Sequence, residues 1–294
     1  MSLPDPLRRR VLATARSVRV RGAFERTRLG PALARRWVVG PGREQALELA
    51  EELLAADLAV TLAPLDADED PRTLLAELQR RGHRYHLAVQ LPAATVARDP
   101  DLARLARAAG TPLVLDATGR DGTSTQAALD LLAELRKEYP GTAVLLAADL
   151  HRTEDDCRQL AHEGSRVVLS AVAPRLSGGE EPWFTDPHEA DRSAVRCLKV
   201  LMAGSGHPVL ASEDPRLVRV AVSLAGRHSR RPGTYEFRMV RGGRPDEQRR
   251  LAAIGESVRV LVPYGQQWYG HLLTELAEHP RPWASVLASL VPRN

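Results

Sequence analysis

The chain predicts an α/β fold: a (β/α)8 TIM-type barrel with an N-terminal helical lead-in. Three observations predict it. From residue 43 onward, short apolar runs alternate with segments of helical spacing. Eight such runs occur over about 240 residues, which suits an eight-stranded barrel better than an open doubly wound sheet. The first run closes on Ala63-Pro64-Leu65-Asp66, without the G-x-G-x-x-G phosphate turn that an open sheet often carries there.

Residues 1–42 read as the lead-in and 43–294 as the barrel with its closing helices. Helix Glu44–Ala56 leads to strand Leu58–Leu65 and helix Pro71–Arg81. Next come strand Tyr85–Leu91, helix Asp101–Ala109, strand Pro112–Asp116, helix Thr125–Tyr139, strand Thr142–Ala147, helix Thr153–Glu163 and strand Arg166–Ala171. After a long loop follow helix Ala190–Ala203, strand Pro208–Ala211 and helix Pro215–Ala225. The last two units lie within Thr234 to Pro280. Tyr235–Met239 is a strand broken by Gly242-Gly243 and Pro245, Glu247–Ile254 a helix, and Val258–Val262 a strand punctuated by Pro263 and Gly265. Trp268–Glu278 is the final helix.

The chain has 294 residues, 44% hydrophobic and 27% charged, with net charge +4. No run of about 18 apolar residues suggests a membrane span. No signal core with a small-residue cleavage site opens the sequence, so a cytoplasmic location is expected. Cys157 and Cys197 fall in predicted helices and read as two buried thiols in a reducing compartment. Lys137 and Lys199 are the only lysines, and ten of the arginines precede Trp37. This arginine-rich start reads as a solvated helical lead-in, or as a segment resting peripherally on the inner face of an anionic membrane. Aromatic residues, at 4%, are too few to interleave with the arginines as base-stacking platforms, so no nucleic-acid partner is expected.

In a barrel, chemistry belongs at the carboxyl ends of the strands. Those ends carry Asp66, Gln90, Asp116, Asp149, Arg175, Ser212-Glu213-Asp214, Arg238 and Gln266. No lysine stands there, which argues against a Schiff base. The nine histidines are scattered, and His83, His86 and His207 fall near amino-terminal ends of strands, so no metal is expected. Asp116 closes the apolar strand PLVLD and is either a carboxylate at the mouth or a helix cap. The fifth loop, APRLSGGEEPWFTDPHEADRS with Gly178-Gly179, reads as a lid or cofactor cover. Arg241-Gly242-Gly243-Arg244 could hold a phosphate or be a surface turn.

Several segments, in order, resemble the proline dehydrogenases. They begin weakly at Arg36-Trp37-Val38-Val39-Gly40 and are clear through Leu129–Ser170 and Asp191–Val218. They are strongest in YEFRM and VRVLVPYGQQWYGHLLTELAEHP. The resemblance implies an FAD-dependent barrel that oxidises L-proline, or a related imino or amino acid, to 1-pyrroline-5-carboxylate and passes electrons to a quinone. By resemblance the catalytic positions are Asp116, at the end of the third strand, and Glu278, on the final helix near the substrate amine. Glu236, Asp214, Ser212, Ala171 and Arg166 fall on the cofactor-binding pattern, with Ser212 replacing a threonine and Arg166 opening the family's R-x-x-K-G-A-Y run.

Other family positions are substituted. Gln90 stands where the resemblance places a lysine facing substrate and flavin, and Ala147 where a glutamine bonds the isoalloxazine. Leu169, Ser170 and Val172 replace the lysine, glycine and tyrosine of the fifth-strand run. Glu213 replaces a flavin-contacting histidine, and Leu261 a tyrosine that covers proline. Thr274 and Glu275 replace the paired arginines that clamp the substrate carboxylate. Two further readings follow: a catalytically inactive barrel of this kind kept for binding or regulation, and a flavin-independent barrel holding an anion near Arg241 and Arg244.

Overall fold

Eight parallel strands close into a barrel in chain order. The computed structural model describes residues 42–66, 69–82, 86–118, 122–171 and 182–267. The strands are β1 (Ala59–Pro64), β2 (Leu87–Pro92), β3 (Leu113–Asp116), β4 (Ala143–Ala147), β5 (Arg166–Ser170), β6 (His207–Ala211), β7 (Glu236–Val240) and β8 (Val258–Tyr264). The seam between β1 and β8 is in register from Ala59↔Arg259 to Pro64↔Tyr264. The helices are α1 (Arg43–Ala55), α2 (Pro71–Arg81), α3 (Ala93–Arg98), α4 (Asp101–Ala108), α5 (Gly122–Glu138), α6 (Thr153–Leu160), α7 (Pro187–Ala203), α8 (Pro215–Arg227) and α9 (Pro245–Ala253).

Three helices start from the same two-residue signal. Asp70-Pro71, Asp186-Pro187 and Asp214-Pro215 each place an acceptor at the N-cap and a proline at the first helical position, where no N–H is needed. The three carboxylates accept from Arg72 N at 3.1 Å, His188 N at 2.7 Å and Arg216 N at 2.8 Å. The proline at residue 187 starts α7 three residues before the apolar periodicity becomes visible.

Some boundaries differ from expectation for physical reasons. β8 continues through Pro263 to Tyr264, because the seam uses carbonyls there: Leu65 N donates to Tyr264 O at 2.9 Å. The short α3 escapes a periodicity reading because six residues are too few to show a face. β5 ends at Ser170, although Ala171 N still donates to Ala211 O at 3.2 Å. α6 stops at Leu160 rather than Glu163.

Alternation along the strands divides the apolar core in two. Outward-facing residues such as Val89, Leu146, Leu169 and Phe237 pack under the helices with Leu74, Leu132 and Leu198. Cys157 and Cys197 join this layer as buried free thiols. Inward-facing Ala88, Val114, Ala143, Leu145, Val168 and Val209 form a smaller plug inside the barrel.

Beneath that plug, the amino-terminal ends of β5 to β8 hold a buried ion network. Arg259 Nε donates to Glu236 Oε2 at 2.7 Å, and its Nη1 donates to Val60 O at 2.8 Å. Arg166 lies 2.6 Å from Glu236 Oε2, and His207 Nε2 lies 3.5 Å from Oε1. Burial alone would push the Glu236 carboxyl up. His207, Arg259 and Arg166 together outweigh it and hold the group well below the carboxylate range.

Among the described residues no helix is long and apolar enough to cross a membrane. Residues 1–41, on which the expected membrane contact rests, lie outside the described residues.

Glu236→Gln leaves two buried guanidinium groups without their counter-charge and is expected to lower stability by about 3–5 kcal/mol in urea unfolding. Because the folded-state pKa of Glu236 is depressed, its contribution is full above the ordinary carboxylate range (about 4.3). It is lost as pH falls through the folded value, so acid unfolding of the variant should show a flatter pH dependence. Asp214→Ala should cost about 1 kcal/mol through the α8 cap, read by the same melts.

Candidate active site at the barrel mouth

The carboxyl half of the barrel interior follows from the same alternation. Gln90, Asp116, Ala147, Ser170 and Ala211 each lie two residues beyond a member of the apolar plug, and so face inward. Arg238 and Leu261 lie two residues beyond Glu236 and Arg259 and face the same way. The registers Ala147↔Ser170, Ser170↔Ala211 and Ala211↔Arg238 set four of these positions side by side across β4 to β7. Three consecutive small side chains therefore form a shelf that ends in an arginine.

Arg238 crosses the interior from β7 to β2. It is 5% exposed, and its Nη1 donates to Gln90 Oε1 at 2.7 Å. Gln90 Nε2 in turn donates to Asp116 Oδ2 at 2.9 Å. Asp116 Oδ1 accepts from the backbone N and Oγ1 of Thr118 at 2.9 and 2.6 Å. A guanidinium can only donate and a carboxylate so placed accepts, so the amide between them has one sensible orientation. The result is a cation–amide–carboxylate relay across the mouth. Sequence reasoning named all three residues but not their union. The available signal was Arg238 two residues beyond Glu236, on the same face of a strand otherwise made of Phe237, Met239 and Val240.

Other acids at the strand ends are engaged by backbone. Asp66 accepts from Gln266 N at 2.6 Å and Gln267 N at 2.9 Å, latching the loop after β1 to the loop after β8. Gly265, at φ +131°, allows this approach, since a Cβ there would lie 2.8 Å from Asp66 Oδ2. Glu213 Oε1 accepts from Val240 N at 2.7 Å. Ser212 Oγ accepts from Asp214 N at 3.1 Å, and the Asp214 carboxylate caps α8. Asp149 is buried behind β4, where its carbonyl accepts from Phe184 N.

Several positions that the resemblance assigns to cofactor lie away from the mouth. Arg166 and Glu236 open their strands, and their ion pair sits at the amino-terminal end of the barrel, beneath the apolar plug. Arg166 already opens the strand in the sequence, and its pairing with Glu236 keeps both side chains at that end. Leu169 faces outward into the helix layer. Ala171 is half-buried just past β5, and Leu261 is half-buried inside β8. Glu278, Thr274, Glu275, Arg175, Val172, Gly178-Gly179 and the final helix lie outside the described residues.

The turn Arg241-Gly242-Gly243-Arg244 packs against the rim. Arg244 Nη1 donates to Glu213 O at 3.3 Å. Burial pushes the Arg241 guanidinium down, opposed by the charge of Glu52. A shallow groove lined by Met202, Gly204, His228, Arg230 and Thr234 lies on the opposite, amino-terminal side. Its Arg230 is tied to backbone carbonyls of Leu201, Met202, Gly204, Gly206 and Thr234. Among the described residues no cluster of His, Cys, Asp and Glu could hold a metal ion.

The donor set at the mouth fits a planar ring such as the flavin the resemblance implies. Ala147, Ser170 and Ala211 are small side chains set side by side, and Arg238 adds positive charge beside them.

No family model matches the chain. Proline dehydrogenase 2 of Bacillus subtilis (strain 168) is 28% identical over 160 residues, 54% of this chain and 52% of that protein. The alignment thus spans about half the length of that relative. Proline dehydrogenase 1 of the same organism is 24% identical over 286 residues, covering 91% of this chain and 92% of the relative. The barrel superposes on proline utilization A (PutA) from Bdellovibrio bacteriovorus, solved after inactivation by N-propargylglycine, with TM-score 0.73 at 16% identity. That superposition covers 87% of this chain and 33% of PutA and shows the fold in common. Barrel, segment order and relatives agree: the chain is related to the proline dehydrogenase family.

Proposed function

We propose that this chain is a flavin-dependent dehydrogenase of the proline dehydrogenase type, acting on L-proline or a related imino or amino acid. The observation that carries the reading is the shelf of Ala147, Ser170 and Ala211 ending in Arg238, at a mouth that also holds Asp116. Bound FAD would supply the two-electron acceptor for the carbon that bears the amine. The chain's own residues bind and orient. The small shelf admits the ring, Arg238 provides positive charge that favours an anionic reduced ring, and Asp116, held by Thr118 and Gln90, offers a carboxylate to the amine. Glu278 is the second acid by resemblance. On this reading the product is 1-pyrroline-5-carboxylate and a quinone takes the electrons.

Thr274 and Glu275 in place of an arginine pair remove two charge-assisted hydrogen bonds of about 1.5–3 kcal/mol each. That is on the order of 10³-fold in affinity for the proline carboxylate unless another cation takes over. A second reading, the catalytically inactive barrel, is favoured by the engagement of Glu213 with Val240 N and of Arg166 with Glu236. These contacts withdraw two expected flavin contacts from the mouth.

The purified full chain, incubated with FAD, should show a flavin spectrum that bleaches when L-proline is added without oxygen. Protein that stays colourless after incubation with FAD overturns the flavoenzyme reading in favour of the inactive barrel. Bleaching by another imino or amino acid, but not by proline, would change the substrate and leave the chemistry.

A further inference from the structure

The chain has only two cysteines, and the fold brings them together. Cys157 lies on α6 and Cys197 on α7, helices that pack on each other and over β5. Both are free thiols at 0% exposure. The neighbouring rung between the same helices is an ion pair. Arg196 Nε donates to Glu154 Oε2 at 2.8 Å, with Arg196 next to Cys197 and Glu154 one turn before Cys157. On α7 this face is built from small buried residues, Ala190, Ser193 and Ala194, which let the helices approach closely. Ser193 Oγ lies 4.0 Å from Cys197 Sγ.

The two helices also carry one side of the mouth. Thr153 Oγ1, at the start of α6, donates to Ala147 O at 2.7 Å. In the loops leading into α6 and α7, His151 N donates to Pro182 O at 2.9 Å and Phe184 N to Asp149 O at 2.8 Å. A covalent bond between α6 and α7 would therefore fix both loops as one unit.

We propose that Cys157 and Cys197 are a reversible redox pair, oxidised by a hydroperoxide to a disulfide that staples α6 to α7. The Cys197 sulfur attacks the O–O bond of the peroxide, takes one oxygen as a sulfenic acid and releases water. The Cys157 sulfur then attacks that sulfur; the S–S bond forms, the S–O bond breaks, and the second water leaves with the Cys157 proton. Two thiols lose two electrons, and the peroxide gains them. The order of attack follows from the contact. Contact with Cys197, together with burial, pushes the Cys157 thiol up, while the same contact brings the Cys197 thiol down against burial. Burial makes the first step depend on local opening of α6, which is only 8 residues long.

The test treats the full chain, reduced and desalted, with hydrogen peroxide in the absence of denaturant, then alkylates it in urea. The oxidised monomer should be two hydrogens lighter and take up no alkyl group. Its peptide map should join the segments holding Cys157 and Cys197, and dithiothreitol should reverse both results. The bridge should shift the unfolding equilibrium in urea about 30- to 1000-fold toward the folded state, and dithiothreitol should abolish the shift. Cys157→Ser and Cys197→Ser should each show no peroxide-dependent shift. Should either fail to fold by circular dichroism, the alanine variant at that position replaces it, and the wild-type peptide map decides on its own. Two alkylated thiols after peroxide, a sulfinic acid without a bridge, or a bond only between separate chains overturns the proposal. So does a bridge that dithiothreitol cannot reduce in the folded protein. None of these readouts uses flavin or turnover, so the outcome is independent of the function proposed above.

Discussion

Closure of the sheet is the constraint on which the rest of this structure depends. Once β8 pairs with β1 from Ala59↔Arg259 to Pro64↔Tyr264, every second residue of every strand has nowhere to point but the interior. An interior of that kind admits polar groups only where partners meet them. The chain meets this demand by stratification. Glu236 with Arg166, Arg259 and His207 occupies one end, and the relay of Arg238, Gln90 and Asp116 occupies the other. Between them Ala88, Val114, Leu145, Val168 and Val209 form an apolar plug. The plug keeps two sets of charges apart that would otherwise compete for partners, and it assigns each set a different task.

The division also explains what was legible from the residues in order. Eight apolar runs separated by helical spacing suffice to name the barrel, because a closed parallel sheet buries both faces and writes its strands as near-continuous apolar segments. The Asp-Pro pairs mark helix starts just as locally, since a cap involves residues two apart. What spacing cannot show is a contact that closure creates. Arg238 and Gln90 are 148 residues apart, and Asp66 reaches Gln266 across 200. Pro263 punctuates the apolar run in the sequence, whereas at the seam the strand continues past it to the carbonyl of Tyr264, which accepts from Leu65 N.

The acids of the rim show the same limit from the side of function. Asp66, Asp116, Glu213 and Asp214 all end strands or begin the loops after them, and residue type alone makes them equal candidates. Their uses diverge because of which N–H lies within reach. Asp66 and Glu213 meet backbone donors of the neighbouring loop or strand, and Asp214 meets the first turn of α8. Asp116 also accepts a backbone N–H, from Thr118, but it shares its other oxygen with a side-chain amide that faces the interior. That shared oxygen separates a carboxylate available to the mouth from carboxylates that hold the frame.

Position 90 shows why substitutions at a family's binding positions have to be read in pairs. Taken alone, glutamine where the resemblance places a lysine is a lost charge. Beside Arg238 it becomes a necessary neutral spacer: a second cation at that distance would meet the guanidinium in a nearly water-free interior, where repulsion between like charges is several times that in bulk water. The amide also does what a shorter or purely apolar side chain could not, because it offers an acceptor to Arg238 and a donor to Asp116 at once.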